Sequence, residues 1–234
     1  MTRHFGVLIP STNTTVETEL SRLPESYQAH YARCMTSTPG SPFAPSRDEE
    51  VDYQSKLLAT AKVEMVILVQ TSASLFDENY DDNVIARISA AAKVPAITSA
   101  RAMGQALRAL GARRIALVSP YSEEVNALAR DYFSTQHGLE ITTLLGFAAK
   151  DAYAIGQLDP QHARNAFEKI DLSGVEAVAI PGANFPTMKS IPAWERELGK
   201  PVVSSTQAAV WAMAKQLGGE RIAGYGRLLE TMPG

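Results

Sequence analysis

Four short polar clusters each follow an apolar run in this chain: Pro10-Ser11-Thr12-Asn13, Gln70-Thr71-Ser72, Ser119-Pro120-Tyr121 and Gly182-Ala183-Asn184. Their side chains are mostly hydroxyls and amides, and backbone N–H groups lie among them. Such a set can hold a carboxylate and stabilise negative charge developing on it, because preorganised donors aimed at a growing charge lower a barrier. It also suffices for a passive carboxylate receptor. What the clusters lack narrows the chemistry. The four histidines, His4, His30, His137 and His162, all lie outside them, which argues against a Ser-His-Asp arrangement and a histidine-rich metal site. There is no glycine-rich phosphate loop and no dinucleotide fingerprint. The single cysteine, Cys34, excludes an internal disulfide and a cysteine-built metal site.

Strands must place these clusters. Val66-Ile67-Leu68-Val69 is an unbroken apolar run, the pattern of a central parallel strand buried on both faces. Ligands of open α/β sheets sit beyond the carboxyl ends of such strands. Thr71, Ser72 and Ser74 stand there, and capping of the next helix is the competing reading. Phe5 to Ile9 reads as a first buried strand. Thr14 then starts a helix, and Glu17 completes a capping-box spacing, so Glu17 reads as a cap rather than a catalytic carboxylate. Tyr27 to Met35 is a second strand carrying Arg33 and Cys34. Residues 36–47 hold three prolines and form a loop long enough to cover a site. Helices over 48–62, 84–92 and 100–110 follow, with a short strand at 95–99 and an acidic, polar stretch at 76–83. Gly111 closes the last of these helices.

The pattern then begins again, at a period of roughly 110 residues, far longer than a solenoid repeat. Arg114 to Tyr121 echoes Gly6 to Ser11, with a helix over 125–133 behind it. Val175 to Ile180 answers Val63 to Leu68, so Gly182 and its neighbours stand where Val69 to Ser72 stood. Lys200 to Ser205 answers Lys93 to Ser99, and helix 207–217 answers 100–110. The fold class is therefore α/β, with two pseudo-symmetric parallel-sheet halves and a site in the cleft between them. Residues 1–112 make the first half, whose closing helix can pack on the other, and 113–234 make the second. Helices starting after the polar turns would aim N–H groups into the cleft, which favours an anion.

Composition adds exclusions. The chain is 45% hydrophobic and 20% charged with a net charge of -3, ordinary for a soluble globular protein and no basis for binding nucleic acid or a membrane surface. The N-terminus lacks the apolar core of a signal peptide, and no segment is apolar enough to span a bilayer, so a cytoplasmic location is the default expectation. The oligomeric state stays open, a homo-oligomer included.

The decapeptide Pro10-Ser11-Thr12-Asn13-Thr14-Thr15-Val16-Glu17-Thr18-Glu19 resembles the aspartate/glutamate racemase superfamily, in its maleate isomerase and arylmalonate decarboxylase branch, and is most like the isomerases. Thr71-Ser72 with Ser74, the run Arg108 to Arg114 leading to Tyr121 and Val125-Asn126, and Pro201 to Ser205 with the tail Gly224 to Leu228 look more like the decarboxylase. The resemblance spans essentially the whole chain. It implies a cofactor-free, metal-free enzyme that works through a planar enediolate on a small carboxylate or dicarboxylate. Hydroxyls matching Thr71, Ser72 and Tyr121 would hold one carboxylate in a dioxyanion hole while the other leaves as CO2, and a cysteine would then deliver a proton. Racemases and isomerases of the superfamily use two cysteines, and those positions fall at Gln70 and Gly182 here. Cys34 lies outside both motifs and reads as a small buried hydrophobe.

The expectation is therefore a decarboxylase-like lyase for an (aryl)malonate-type acid. Thr71, Ser72, Tyr121 and the Gly182 position would be catalytic. Pro10, Ser11, Asn13, Gln70, Ala183 and Asn184 would bind substrate. The alternatives are an isomerase or racemase using a non-thiol base, or a catalytically impaired carboxylate-binding homologue.

Overall fold

The computed structural model describes residues 2–36 and 43–232. It is an α/β protein built on two four-stranded parallel sheets. Strands β1 (Arg3–Pro10), β2 (Tyr27–Cys34), β3 (Val66–Leu68) and β4 (Ala96–Thr98) form the first, in the order β2-β1-β3-β4. Strands β5 (Arg114–Ser119), β6 (Glu140–Gly146), β7 (Ala177–Ile180) and β8 (Val202–Ser204) repeat that order as β6-β5-β7-β8. Helices α1 (Val16–Leu20), α2 (Asp48–Thr60), α3 (Tyr80–Ala92) and α4 (Ser99–Ala109) accompany the first sheet. Helices α5 (Glu123–His137), α6 (Ala152–Ile155), α7 (Pro160–Phe167), α8 (Ile191–Leu198), α9 (Ser205–Gln216) and α10 (Arg227–Glu230) accompany the second. A 3₁₀ turn over Thr71–Leu75 follows β3.

Successive strand residues point to opposite faces, and here both faces are covered. Phe5, Val7 and Ile9 of β1 and Ile67 of β3 enter a core that runs on into the second half. Leu8, Val66 and Leu68 face a smaller core under α2 and α3, with Val51, Leu58, Val84, Ile88 and Cys34. A strand buried on both sides must be apolar throughout, hence the unbroken run at 66–69. Each such Ile or Leu side chain contributes about 1.5–3 kcal/mol. Gly6 keeps α2 close, since a Cβ there would sit 2.9 Å from Leu58 Cδ1. Helices α4 and α9 pack on each other, and each also touches strands of both sheets.

Several local expectations are corrected. Helix α1 starts at Val16, without the Thr14–Glu17 box. Asn13 Oδ1 instead accepts the N–H groups of Thr15 and Val16, at 3.0 and 2.9 Å, while Glu17 pairs with Arg33 at 3.0 Å. Helix α3 begins at Tyr80 rather than Val84 and takes in the acidic stretch, because Asp81 and Asp82 suit a first turn. Helix α5 runs on to His137, where Gly138 at φ 60° ends it. Helix α8, with a proline in its first turn, lies where no element was expected. The expected covering loop at 36–47 falls partly outside the described residues; Phe43 to Arg47 lie within them, and Phe43 is buried. Among the described residues, no helix is long and apolar enough to cross a membrane.

Candidate functional site

The ends of β1, β3, β5 and β7 converge on one cavity of about 40 Å³. Pro10, Thr12 and Asn13 come from the turn after β1. Val69 to Ser72 come from the turn after β3, Tyr121 from beyond β5, and Gly182 to Asn184 from beyond β7. Phe43, Ala152 and Ile155 close it. At about 10–15 Å³ for each water, it has room for about three waters, less than a dicarboxylate occupies. A dicarboxylate therefore needs more room than this cavity offers as it stands.

Nine of the ten residues expected at the site line this cavity. Ser11 does not. It is exposed, and its Oγ accepts the Thr36 N–H at 3.4 Å while its carbonyl takes Arg33 Nη1 at 3.1 Å. Its neighbour Thr12 points inward instead, and the buried Thr12 hydroxyl has no partner among the described residues. Nothing in the spacing of the Pro10–Asn13 turn distinguishes these two hydroxyls; the turn's backbone decides between them. Phe43, Ala152 and Ile155 were not anticipated. They are apolar residues from connecting segments and carry no local signal of a site.

Many of the expected donors are already engaged. Gln70, at the first thiol position, gives its amide N–H to the Ala44 carbonyl (2.9 Å) and accepts the Ser46 hydroxyl (3.2 Å). Ser72 donates to the Phe43 carbonyl at 3.1 Å. These two residues thus fasten the 43–46 segment over the cavity. Thr71 donates to Ser205 Oγ (2.8 Å) and lies 2.9 Å from Ser99 Oγ. The first residues of α4 and α9 therefore meet at Thr71, which joins the two halves. A hydroxyl has one proton and two acceptor positions, so Thr71 can turn its proton to a ligand and still accept from Ser99 and Ser205. Asn13 is consumed as the α1 cap. Asn184 Oδ1 accepts the Thr14 N–H at 2.8 Å, and its Nδ2 donates to the Ala152 carbonyl at 2.7 Å. The N–H groups of Thr14, Thr15 and Val16 are thereby satisfied within the protein, contrary to the expectation that this helix start aims them at a ligand.

Tyr121 is different. It is 1% exposed, packs edge-on to Phe43 at 5.5 Å between ring centroids, and its hydroxyl has no hydrogen bond to a described residue. Burial raises its pKa, so the phenol stays neutral and can only donate or accept as a hydroxyl. Among the described residues it is the only cavity-lining side chain that could titrate. Gly182 has φ +89°, and a Cβ built on it would lie 2.6 Å from Pro120 Cγ and 3.6 Å from the Tyr121 hydroxyl oxygen. The position where the resemblance implies a second thiol therefore has a backbone suited to glycine, with a phenol beside the place where a side chain would begin.

Cys34 cannot replace the missing thiols. It lies at the end of β2 in the outer core, fully buried, and burial pushes its thiol pKa up to about 12. The histidines have structural surroundings. His4 and His30 pair at 2.9 Å, His137 packs against Tyr132, and His162 completes the α7 capping box.

Comparison with known proteins identifies the family and the fold. The family model described as arylmalonate decarboxylase matches residues 7–229. A maleate isomerase of Pseudomonas putida is 30% identical over 243 residues, covering 96% of each chain. The arylmalonate decarboxylase of Bordetella bronchiseptica is 29% identical over 192 residues, covering 78% of each. The maleate cis-trans isomerase of Nocardia farcinica, solved as a mutant with a covalently bound succinylcysteine intermediate, superimposes with a TM-score of 0.88 at 25% identity over the whole of both chains. This chain belongs to the arylmalonate decarboxylase family, with the Asp/Glu racemase-like fold shared by its maleate isomerase and decarboxylase relatives.

Proposed function

We propose that this chain is a carboxylate-binding member of the family without thiol chemistry: it holds a small carboxylate or dicarboxylate in the cleft and forms no covalent adduct with it. One observation carries the reading. The cavity wall supplies hydroxyls at Thr12, Thr71, Ser72 and Tyr121, while glutamine and glycine stand at both thiol positions. Relatives that the chain matches over nearly its full length are maleate isomerases, which supports a ligand of maleate type. The succinylcysteine route of the Nocardia enzyme needs a sulfur that this cavity does not offer. An isomerase using a non-thiol base is no better served, because Tyr121 is the only titratable side chain in the wall among the described residues and is held neutral.

Decarboxylation is a second reading, favoured by the position of the Tyr121 hydroxyl next to Gly182. It requires a donor rather than a base. The carbon–carbon bond to one carboxylate breaks and CO2 leaves. The electron pair forms an enediolate held by Thr71 and Ser72, and Tyr121 protonates its carbon before regaining a proton from water. A neutral phenol is a weak acid for that step, so this reading stands second.

Incubation with maleate, malonate and phenylmalonate in deuterated water, followed by NMR, separates the two. The binding reading predicts saturation transfer from protein to ligand with no ligand consumed. Release of CO2 with deuterium on the α-carbon, abolished by Tyr121→Phe, would overturn it in favour of the second. Absence of both saturation transfer and product would remove both.

A further inference from the structure

The decapeptide that carries the family resemblance ends in Glu19, a residue with no part in the site as described. Its side chain crosses between the two halves. Glu19 Oε1 accepts the backbone N–H groups of Thr187 (2.7 Å) and Met188 (2.8 Å). A few residues upstream, Thr15 Oγ1 donates to the Asn184 carbonyl at 2.7 Å and the Thr14 N–H reaches Asn184 Oδ1 at 2.8 Å. The first-half turn and helix α1 therefore grip residues 184–188 at both ends. That segment continues directly from Gly182 and Ala183, the second-half wall of the cavity.

The arrangement is costly for an ornamental contact. Glu19 Oε2 and Thr206 Oγ1 are both buried without hydrogen-bond partners among the described residues. Burial raises the carboxyl's pKa, the two backbone N–H groups offset this only in part, and the Thr206 side chain lies beside it. A buried polar atom left unpaired forfeits its hydration without a replacement bond. A leucine or methionine at this position would avoid that cost if filling the seam were the only requirement.

We propose that Glu19 is a positioning residue, which sets the Gly182–Asn184 wall against the first half so that the ligand cavity exists only when the halves are docked. The role in ligand binding rests on the carboxylate-binding reading above; the placement of the segment does not. Glutamine can take over the function. Its carbonyl oxygen accepts the same two N–H groups, and its amide can donate to Thr206 Oγ1, pairing both orphaned positions.

Amide hydrogen exchange of the ligand-free protein is the first test. Glu19→Ala should speed exchange across Ala183–Met188 by about tenfold, the scale of one lost buried hydrogen-bonding group, and leave Thr71–Leu75 unchanged. Glu19→Gln should match wild type. Glu19→Asp, withdrawn by one methylene, should show the same effect on a smaller scale and serves if the alanine variant does not fold. Leu58→Ala, in the outer core, should lower the melting temperature without the local exchange change. Unchanged exchange at 183–188 in both Glu19→Ala and Glu19→Asp would overturn the inference. Maleate titration is the second test. If wild type binds, Glu19→Ala should weaken affinity about tenfold and Glu19→Gln should restore it. Equal affinity in wild type and Glu19→Ala would also overturn the inference. Failure of wild type to bind would instead remove the carboxylate reading, with the exchange result still deciding whether Glu19 places the segment.

Discussion

Gly182 stands where the family resemblance implies a thiol, but it is more than a deleted side chain. At φ +89°, with Pro120 Cγ 2.6 Å from any Cβ, the backbone itself is arranged for glycine. Gly182→Ala should therefore destabilise the fold by about 1–3 kcal/mol, the range for a non-glycine residue held in a sparsely populated conformation. Urea denaturation of the two proteins measures this; equal stability would show that the segment relaxes freely. For the same reason Gly182→Cys is not a clean restoration of chemistry. Residue identities at the site were legible in the sequence wherever a strand end dictated them, as at Thr71, Tyr121 and Gly182. The exceptions have physical causes. Ser11 and Thr12 are adjacent hydroxyls in one turn, and only its conformation sends one outward and the other inward. Asn13 reads as a ligand-positioning amide, yet helix α1 needs its oxygen as a cap.

Among the elements, the segment from Phe43 to Arg47 does most to define the state of the site. Gln70 and Ser72 hold its carbonyls and hydroxyl, and Phe43 caps the cavity against Tyr121. Gln70→Ala should loosen this fastening at a cost of about 1 kcal/mol. Proteolysis near Phe43 should become faster and the ligand on-rate should rise, with the sheet amides unaffected; stopped-flow binding and limited proteolysis check both. An unchanged on-rate would mean that Ile155 and α6, not this segment, control entry. Strands were readable because buried parallel strands announce themselves as apolar runs. Helix α8 was not, since its apolar residues, Ile191 and Trp194, sit among prolines and charges. The α3 boundary was missed because acidic residues were read as loop polarity, when Asp81 is a buried member of the first turn that accepts the Ser74 hydroxyl at 2.7 Å and also bonds Tyr132.

Over the whole molecule, the larger core runs through both halves, and buried titratable groups shape the pH dependence of stability. Burial lowers the His137 pKa from 6.5 to about 4. Its contribution is complete above 6.5 and is lost as pH falls through 6.5 towards 4, where the unfolded chain takes the proton first. Burial raises Cys34 from 9.0 and Tyr31 from 10.0, each to about 12. Their contributions are complete below those ordinary values and are lost as pH rises towards 12. These three contributions are together complete between about pH 6.5 and 9, and urea midpoints should fall as pH rises towards 12; a midpoint rising above pH 10 would contradict these assignments. The duplicated layout was visible in the sequence because its period is long and its motifs recur. The docking of the halves was not, since Thr71 with Ser205 and Glu19 with Thr187 are pairings that no local pattern reports. The central claim is that the docked cleft binds a carboxylate without a thiol adduct. Calorimetric titration with maleate, followed by intact-mass measurement of the saturated protein, tests it most directly. The account predicts a saturable isotherm, weakened about tenfold by Tyr121→Phe through loss of one buried donor, and a protein mass unchanged by the ligand. A mass increased by one ligand, or no heat of binding at any concentration, would contradict it.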